Sequence, residues 1–126
     1  MNKPRIRPLA RLVINFLLFM LSHILFTVIA PLTFFYTLVF KSGRSKFLLN
    51  CAYANDQSGN VFCHVFFNST MRKKNGYRFG KPDETISSVL GKLQQSKQLT
   101  LIGKLVCFIL DTIDPNHCKK SIESDE

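Results

Sequence analysis

From Leu12 to Phe40 the chain has no Lys, Arg, Asp or Glu, and that missing charge excludes more than any residue present. About 20 apolar residues span the hydrocarbon core of a bilayer, so this run is long enough to cross one and too long for the core helix of a small soluble domain. The sequence also lacks a phosphate-cradling glycine loop and a nucleophile elbow, which removes the usual motif grounds for nucleotide hydrolysis or serine-hydrolase chemistry. Its four cysteines, Cys51, Cys63, Cys107 and Cys118, are spaced like no zinc knuckle. At 126 residues there is room for one anchor and one small domain whose core is marginal without help.

What is there begins with the anchor itself, carried by Leu12, Phe16, Phe19, Ile24 and Phe26. Asn15, Ser22, His23 and Thr27 interrupt it without charge, and a helix absorbs them because Ser and Thr bond back to the preceding turn. Asn15, Ser22 and His23 also suit a helix-helix contact worth roughly 1 kcal/mol per hydrogen bond in lipid, which makes a homo-oligomer the alternative to a plain anchor. Pro31 lacks the donor that continues the ladder, so a spanning helix is expected from Leu12 to Ala30, kinked or ended there. Beyond it, Phe34, Phe35, Tyr36 and Phe40 mark a tilted or interfacial extension, with a re-entrant hairpin as its rival.

The formal net charge of +9 lies on both sides of the run. Residues 1–11 form a basic tail with Lys3, Arg5, Arg7 and Arg11; Lys41, Arg44 and Lys46 follow the run, and Arg72, Lys73, Lys74 and Arg78 come later. Such flanks favour the lipid bilayer and its anionic lipids as partner over nucleic acid. The apolar run is about twice the length of a cleavable signal, which reads as an uncleaved signal anchor and a single-pass membrane protein. Positive charge before and behind the run is nearly balanced, so the facing of the domain is left open. An exported domain would let its cysteines pair, whereas a cytoplasmic one would keep them reduced.

Residues 41–81 read as a basic linker, polar and turn-rich from Tyr53 to Asn60, then a segment that fits a strand from Val61 to Phe67 or, in preference, a short amphipathic helix from Asn60 to Met71 with Phe62, Val65, Phe66 and Ser69 along one side. Asn68-Ser69-Thr70 is a glycosylation sequon that matters only in a secretory lumen. Asn75-Gly76 is a turn, with Tyr77 and Phe79 expected to dip into the headgroup region. Residues 82–126 read as a helical hairpin. Pro82, Asp83 and Glu84 start its first helix, and Ile86, Val89, Leu90 and Leu93 line one face. A second helix from Leu99 to Ile113 has only a narrow polar stripe, Thr100, Lys104, Cys107 and Asp111. So wide an apolar surface requires further packing on the 61–71 segment, on the bilayer or on a partner. Asp114-Pro115 then stops that helix and leads into a short third turn. The fold class expected is all-α, an N-terminal transmembrane signal-anchor helix followed by a small helical domain.

Pro82-Asp83-Glu84-Thr85-Ile86-Ser87 with the later Asp114-Pro115-Asn116-His117-Cys118-Lys119-Lys120-Ser121 resembles small phage- and prophage-encoded proteins that share an E-T-[IL]-S start and a D-x-x-H-C-x-x-S ending. The resemblance covers residues 82–126, and the group has no firmly assigned function. It implies a bacterial host inner membrane and a module that gathers Asp83, Glu84, Ser87, Asp111, His117, Cys118 and Ser121. Many members lack a long anchor, so Leu12 to Phe40 departs from the pattern. A bare cytosolic module would tilt the facing toward the cytoplasm.

Two antiparallel helices would bring His117 to Asp83 or Glu84, as a staple in preference to a hydrolytic centre. A zinc set of Cys63, His64, His117 and Cys118 is the metal alternative, disfavoured because neighbours on a helix point about 100° apart; no cofactor is expected. The resulting expectation is a non-enzymatic phage membrane protein, either a holin-like lysis accessory or a superinfection-exclusion factor. The alternative is an anchored enzyme or metal-binding module using Asp83, Glu84, His117 and Cys118.

Overall fold

The computed structural model describes residues 7–123. Among them six helices and no strand are found: α1 (Pro8–Phe40), α2 (Arg44–Phe62), α3 (His64–Thr70), α4 (Ile86–Gln95), α5 (Leu101–Ile113) and α6 (His117–Lys120). The chain divides into two units, Met1–Ser45 and Lys46–Glu126.

The first unit is essentially α1, 33 residues long, with a mean hydropathy of 2.4 over its most apolar stretch and none of that stretch buried. A helix this apolar in a soluble core would be covered on most sides; α1 is covered on none, and it is long and apolar enough to cross a membrane. Ser22 Oγ donates to the Phe19 carbonyl, Thr27 Oγ1 to that of His23 and Thr37 Oγ1 to that of Thr33, so the hydroxyls are satisfied within the helix. His23 stacks on Phe19 at 5.6 Å between ring centroids.

Contrary to the expected end at Ala30, α1 runs unbroken through Pro31 to Phe40. The proline forfeits one ladder bond, whereas ending the helix there would leave up to four carbonyls unpaired. Thr33 Oγ1, donating to the carbonyls of Ile29 and Ala30, sits against the interrupted turn. Phe34, Phe35, Tyr36 and Phe40 therefore belong to the same helix as Leu12 and Phe16. At its end Arg44 donates to the carbonyls of Lys41 and Val39, which terminates the helix with a cation at the negative end of its dipole.

In the second unit the expected linker is helical. Tyr53 to Asn60, read as turn-rich, lies inside α2, and a break at Cys63 separates α2 from α3 in place of one helix from Asn60 to Met71. Tertiary contact overrides the weak local propensity here: Asn60 is wholly buried, its Nδ2 donating to the carbonyls of Lys81 and Glu84 and its Oδ1 accepting from Gly80 N. Asn68 holds the same loop one step earlier, accepting from Phe79 N and donating to Phe79 O. The sequon asparagine thus has its amide nitrogen engaged inside the fold.

The core gathers Met71, Phe79, Val89, Leu90, Leu93, Leu99, Cys107 and Cys118, with Phe67, Tyr77, Ile86, Val106 and Leu110 packed against it. Phe79, expected at the headgroups, is buried against Phe67 with ring centroids 5.4 Å apart. α4 lies at the centre, against α5 and α6. It begins at Ile86, later than Pro82 suggested, because Thr85 is the N-cap and accepts from Ser88 N. α5 is capped in the same way by Thr100 on Gly103 N. Gly91 lets α6 approach closely, since a Cβ there would collide with the Cys118 carbonyl.

Candidate functional site

Ser87, His117 and two aspartates form a line across the junction of α2, α4 and α6. Ser87 sits in the first turn of α4, and both its N–H and its hydroxyl donate to Asp56 Oδ2 of α2, at 3.3 and 2.7 Å. His117 Nε2 stands 3.2 Å from Ser87 Oγ, while its Nδ1 stands 3.0 Å from Asp114 Oδ2. Asp114 also accepts from Lys120 Nζ at 2.7 Å. The Lys120 hydrogen bond, and after it that of His117, holds the Asp114 carboxyl below the usual carboxylate range. Ser121 Oγ donates to the His117 carbonyl, and Cys118 N donates to Asp111 Oδ1.

A serine, an imidazole and a carboxylate in sequence resemble a hydrolytic triad in outline, but the remaining geometry opposes nucleophilic chemistry. Ser87 directs its proton to Asp56 and is only 4% exposed. The backbone donors that would steady an oxyanion at the start of α4 are already used, Ser87 N by Asp56 and Ser88 N by Thr85 Oγ1. The arrangement ties three helices together. It borders a half-open recess of about 750 Å³ lined by Leu49, Tyr53, Phe67, Val106 and Leu110 together with Asp56, Ser87 and His117.

The expected cluster is brought together in part. Ser87, Asp111, His117, Cys118 and Ser121 gather around α6, whereas Glu84 is turned to a separate buried network and Asp83 is exposed. His117 meets Ser87 and Asp114 in place of Asp83 or Glu84, because α4 starts one turn later than expected. Glu84 Oε1 pairs with Lys92 Nζ at 2.7 Å and accepts from Ser88 Oγ, and its Oε2 accepts from Tyr77 O–H. Lys92 Nζ and Lys81 Nζ stand 4.5 and 4.9 Å from the Tyr77 ring centroid, and both donate to its hydroxyl.

The alternative zinc set is not assembled. His64 Nδ1 is occupied by the Val61 carbonyl and Cys118 faces Cys107, and among the described residues no group of three or more His, Cys, Asp or Glu side chains is placed to hold a metal.

Of the basic residues, Arg5 lies outside the described residues. Arg7 precedes α1 and Arg11 lies in its first turns, both exposed, as are Lys41, Lys46, Lys74 and Arg78. Arg72 is not a lipid-facing cation: its guanidinium closes the following turn through the carbonyls of Lys73, Lys74 and Gly76. Lys73 donates to the Lys97 carbonyl.

Asp56 and Lys92 were not singled out from the sequence, and Asn60 and Asn68 were read there only as a helix start and a sequon acceptor; no local pattern marks their roles, since each acts on a residue well separated in the chain. No family model matches the chain, and neither the curated proteins nor the solved structures include a match to it.

Proposed function

We propose that this is a single-span membrane protein of non-enzymatic type, encoded by a phage or prophage and residing in the host inner membrane, where it holds a basic helical unit against anionic lipid. A holin-like lysis accessory or a superinfection-exclusion factor is the specific form this takes. The observation that carries the reading is the outer face of α5. Leu101, Leu105, Phe108 and Ile113 are 84, 59, 68 and 79% exposed, and Ile102 and Ile109 lie beside them. A contiguous apolar face of this kind is costly in water, at about 25 cal/mol per Å² left uncovered.

Lipid is the occupant that the surroundings favour. Lys104 lies on α5 itself, and Lys73 and Lys97 line the same recess as Phe108, so an apolar stripe is bordered by cations as in helices that lie in the headgroup plane. The bilayer is also the apolar phase nearest in the chain, because α2 begins four positions after α1 ends. Self-association through Asn15, Ser22 and His23 of α1 belongs to the same proposal.

Two measurements test it. With the full chain in anionic vesicles and a spin label at Leu105→Cys, oxygen dissolved in lipid should relax the label and a water-soluble nickel chelate should not. A label at Lys119→Cys should behave oppositely. Equal access of the chelate to both would remove the lipid face. Induced expression in a bacterium should collapse the membrane potential if lysis is the role; normal potential and growth at high expression would leave exclusion, assayed by plating a second phage.

A further inference from the structure

We propose that Cys107 and Cys118 are a redox-active dithiol, which closes to a disulfide between α5 and α6 by exchange with a small-molecule disulfide. Their sulfurs are 3.2 Å apart and both side chains are buried, at 2 and 0% exposure. α5 is a regular helix capped at Thr100, and Cys118 is held by its backbone N–H on Asp111, one helical turn beyond Cys107. Both ends of the prospective bond are therefore positioned by hydrogen bonds that do not involve the thiols.

The other two cysteines do not compete for this pairing. Cys51, on α2, and Cys63, just past its end, are separated by about 18 Å at 1.5 Å per residue, far beyond the roughly 7 Å between Cα atoms that a disulfide spans. Cys63 is exposed and Cys51 lies on the side of α2, whereas Cys107 and Cys118 belong to the core. Pairing of the cysteines in an oxidising compartment, left open by the sequence, thus narrows to one partner choice.

The chemistry runs in two displacements. Cys118 donates its hydrogen bond to Cys107, which favours the thiolate on Cys107 and keeps the proton on Cys118. The Cys107 thiolate attacks one sulfur of the oxidant disulfide; a protein–oxidant S–S bond forms and the first thiolate leaves. Cys118 then gives up its proton, attacks Cys107 Sγ and expels the second thiolate. Two electrons pass from the protein to the oxidant, and the two thiol protons end on the two leaving thiols. Because both sulfurs are buried, the first attack requires a local opening of the fold, so exchange is slow compared with that of an exposed thiol.

The test uses the full chain in detergent with Cys51→Ser and Cys63→Ser, which leaves the buried pair intact. After equilibration with glutathione buffers, acid quenching and denaturation, maleimide labelling counts the free thiols. Oxidised glutathione should remove both, a reductant should restore both, and the oxidised chain should melt at a higher temperature. The equilibrium should favour the disulfide at least about tenfold more in the folded chain than in the same chain in concentrated urea, because a fold that holds two sulfurs together stabilises their bond. Adding Cys107→Ser should leave Cys118 able to form only a mixed disulfide. Two labelled thiols after full equilibration with oxidised glutathione would overturn the proposal, as would a folded pair no easier to oxidise than the unfolded one.

Discussion

Lys92 Nζ stands 2.7 Å from Glu84 Oε1, with the two side chains only 14 and 4% exposed, so the residue just before the N-cap of α4 is tied to the last turn of the same helix. Ser88 and Tyr77 fill further acceptor positions on the carboxylate. An ion pair removed from water holds only when its remaining lone pairs are satisfied, and here they are.

Breaking that pair from one side should be far worse than removing it whole. Lys92→Met leaves a buried carboxylate without its cation and should cost about 3 kcal/mol, whereas Glu84→Gln with Lys92→Met should cost well under the sum of the single changes. Urea unfolding of the full chain in detergent, followed by tyrosine fluorescence, measures both; additive losses would mean that the pair is not coupled.

Asn60 is the second point at which the unit should be fragile. Truncation to Ala strands the Glu84 carbonyl and the Gly80 N–H and leaves the Lys81 carbonyl only its bond from Glu84 N, with an expected loss of roughly 2 to 3 kcal/mol. Asn60→Asp keeps an acceptor for Gly80 but sets a charge against two carbonyls, and it should be no milder. Hydrogen exchange at the Gly80 amide reports the site directly, and unchanged protection in Asn60→Ala would refute its role as the loop clamp.

Gly91→Ala should dislodge α6. The added methyl meets the Cys118 backbone and the Ile122 side chain, and the backbone cannot turn aside as a flexible side chain would. Overpacking of this kind costs about 1 to 3 kcal/mol. Faster labelling of Cys107 and Cys118 by a small maleimide in the variant than in the parent would show the displacement, and equal rates would contradict it.

Asp114 sets an acid dependence whose sign follows from its lowered pKa. The folded carboxyl titrates below the ordinary value of about 3.9, so its stabilising effect is present above that pH and is lost as pH falls through the folded value. Asp114→Asn should lower the melting temperature at neutral pH, converge with the parent in acid and so flatten the acid limb, with both changes small because the pair with Lys120 is exposed. An unchanged acid limb would show that Asp114 contributes nothing there.

Much of the fold was legible in the chain because it rests on periodicity. The uncharged run became α1, and the spacing of Val89, Leu90 and Leu93 and of Val106 and Leu110 gave α4 and α5 their inner faces. The α5 boundary was read within two residues, and the excess apolar surface noted in the sequence is the exposed face of α5. Phe79 and the polar stretch from Tyr53 to Asn60 were misread. An aromatic beside basic residues looks exposed until Phe67 covers it, and a run of small polar residues looks like a turn until Asn60 at its end is held by the 80–84 loop, although Tyr53, Ala54, Asn55 and Ser58 stay exposed.

The candidate site was legible only as a set of names. That Ser87, His117 and Cys118 belong together came from the motif pair, which also holds Asp114 three residues before His117, but the partners Asp56 and Cys107 followed from the contact of α2 with α4 and of α6 with α5.

By itself, then, the amino-acid order determined that one helix is long and apolar enough to cross a membrane, and that short amphipathic helices follow it. Both are summed properties of neighbouring side chains, which need no knowledge of where the chain returns. Only the tertiary structure decided that asparagines clamp a loop 11 to 24 positions distant, and that two cysteines touch while two do not. Each of these is a pairwise contact a few ångströms long between distant parts of the chain. Such contacts depend on how helices pack, and periodicity along the sequence carries no record of that.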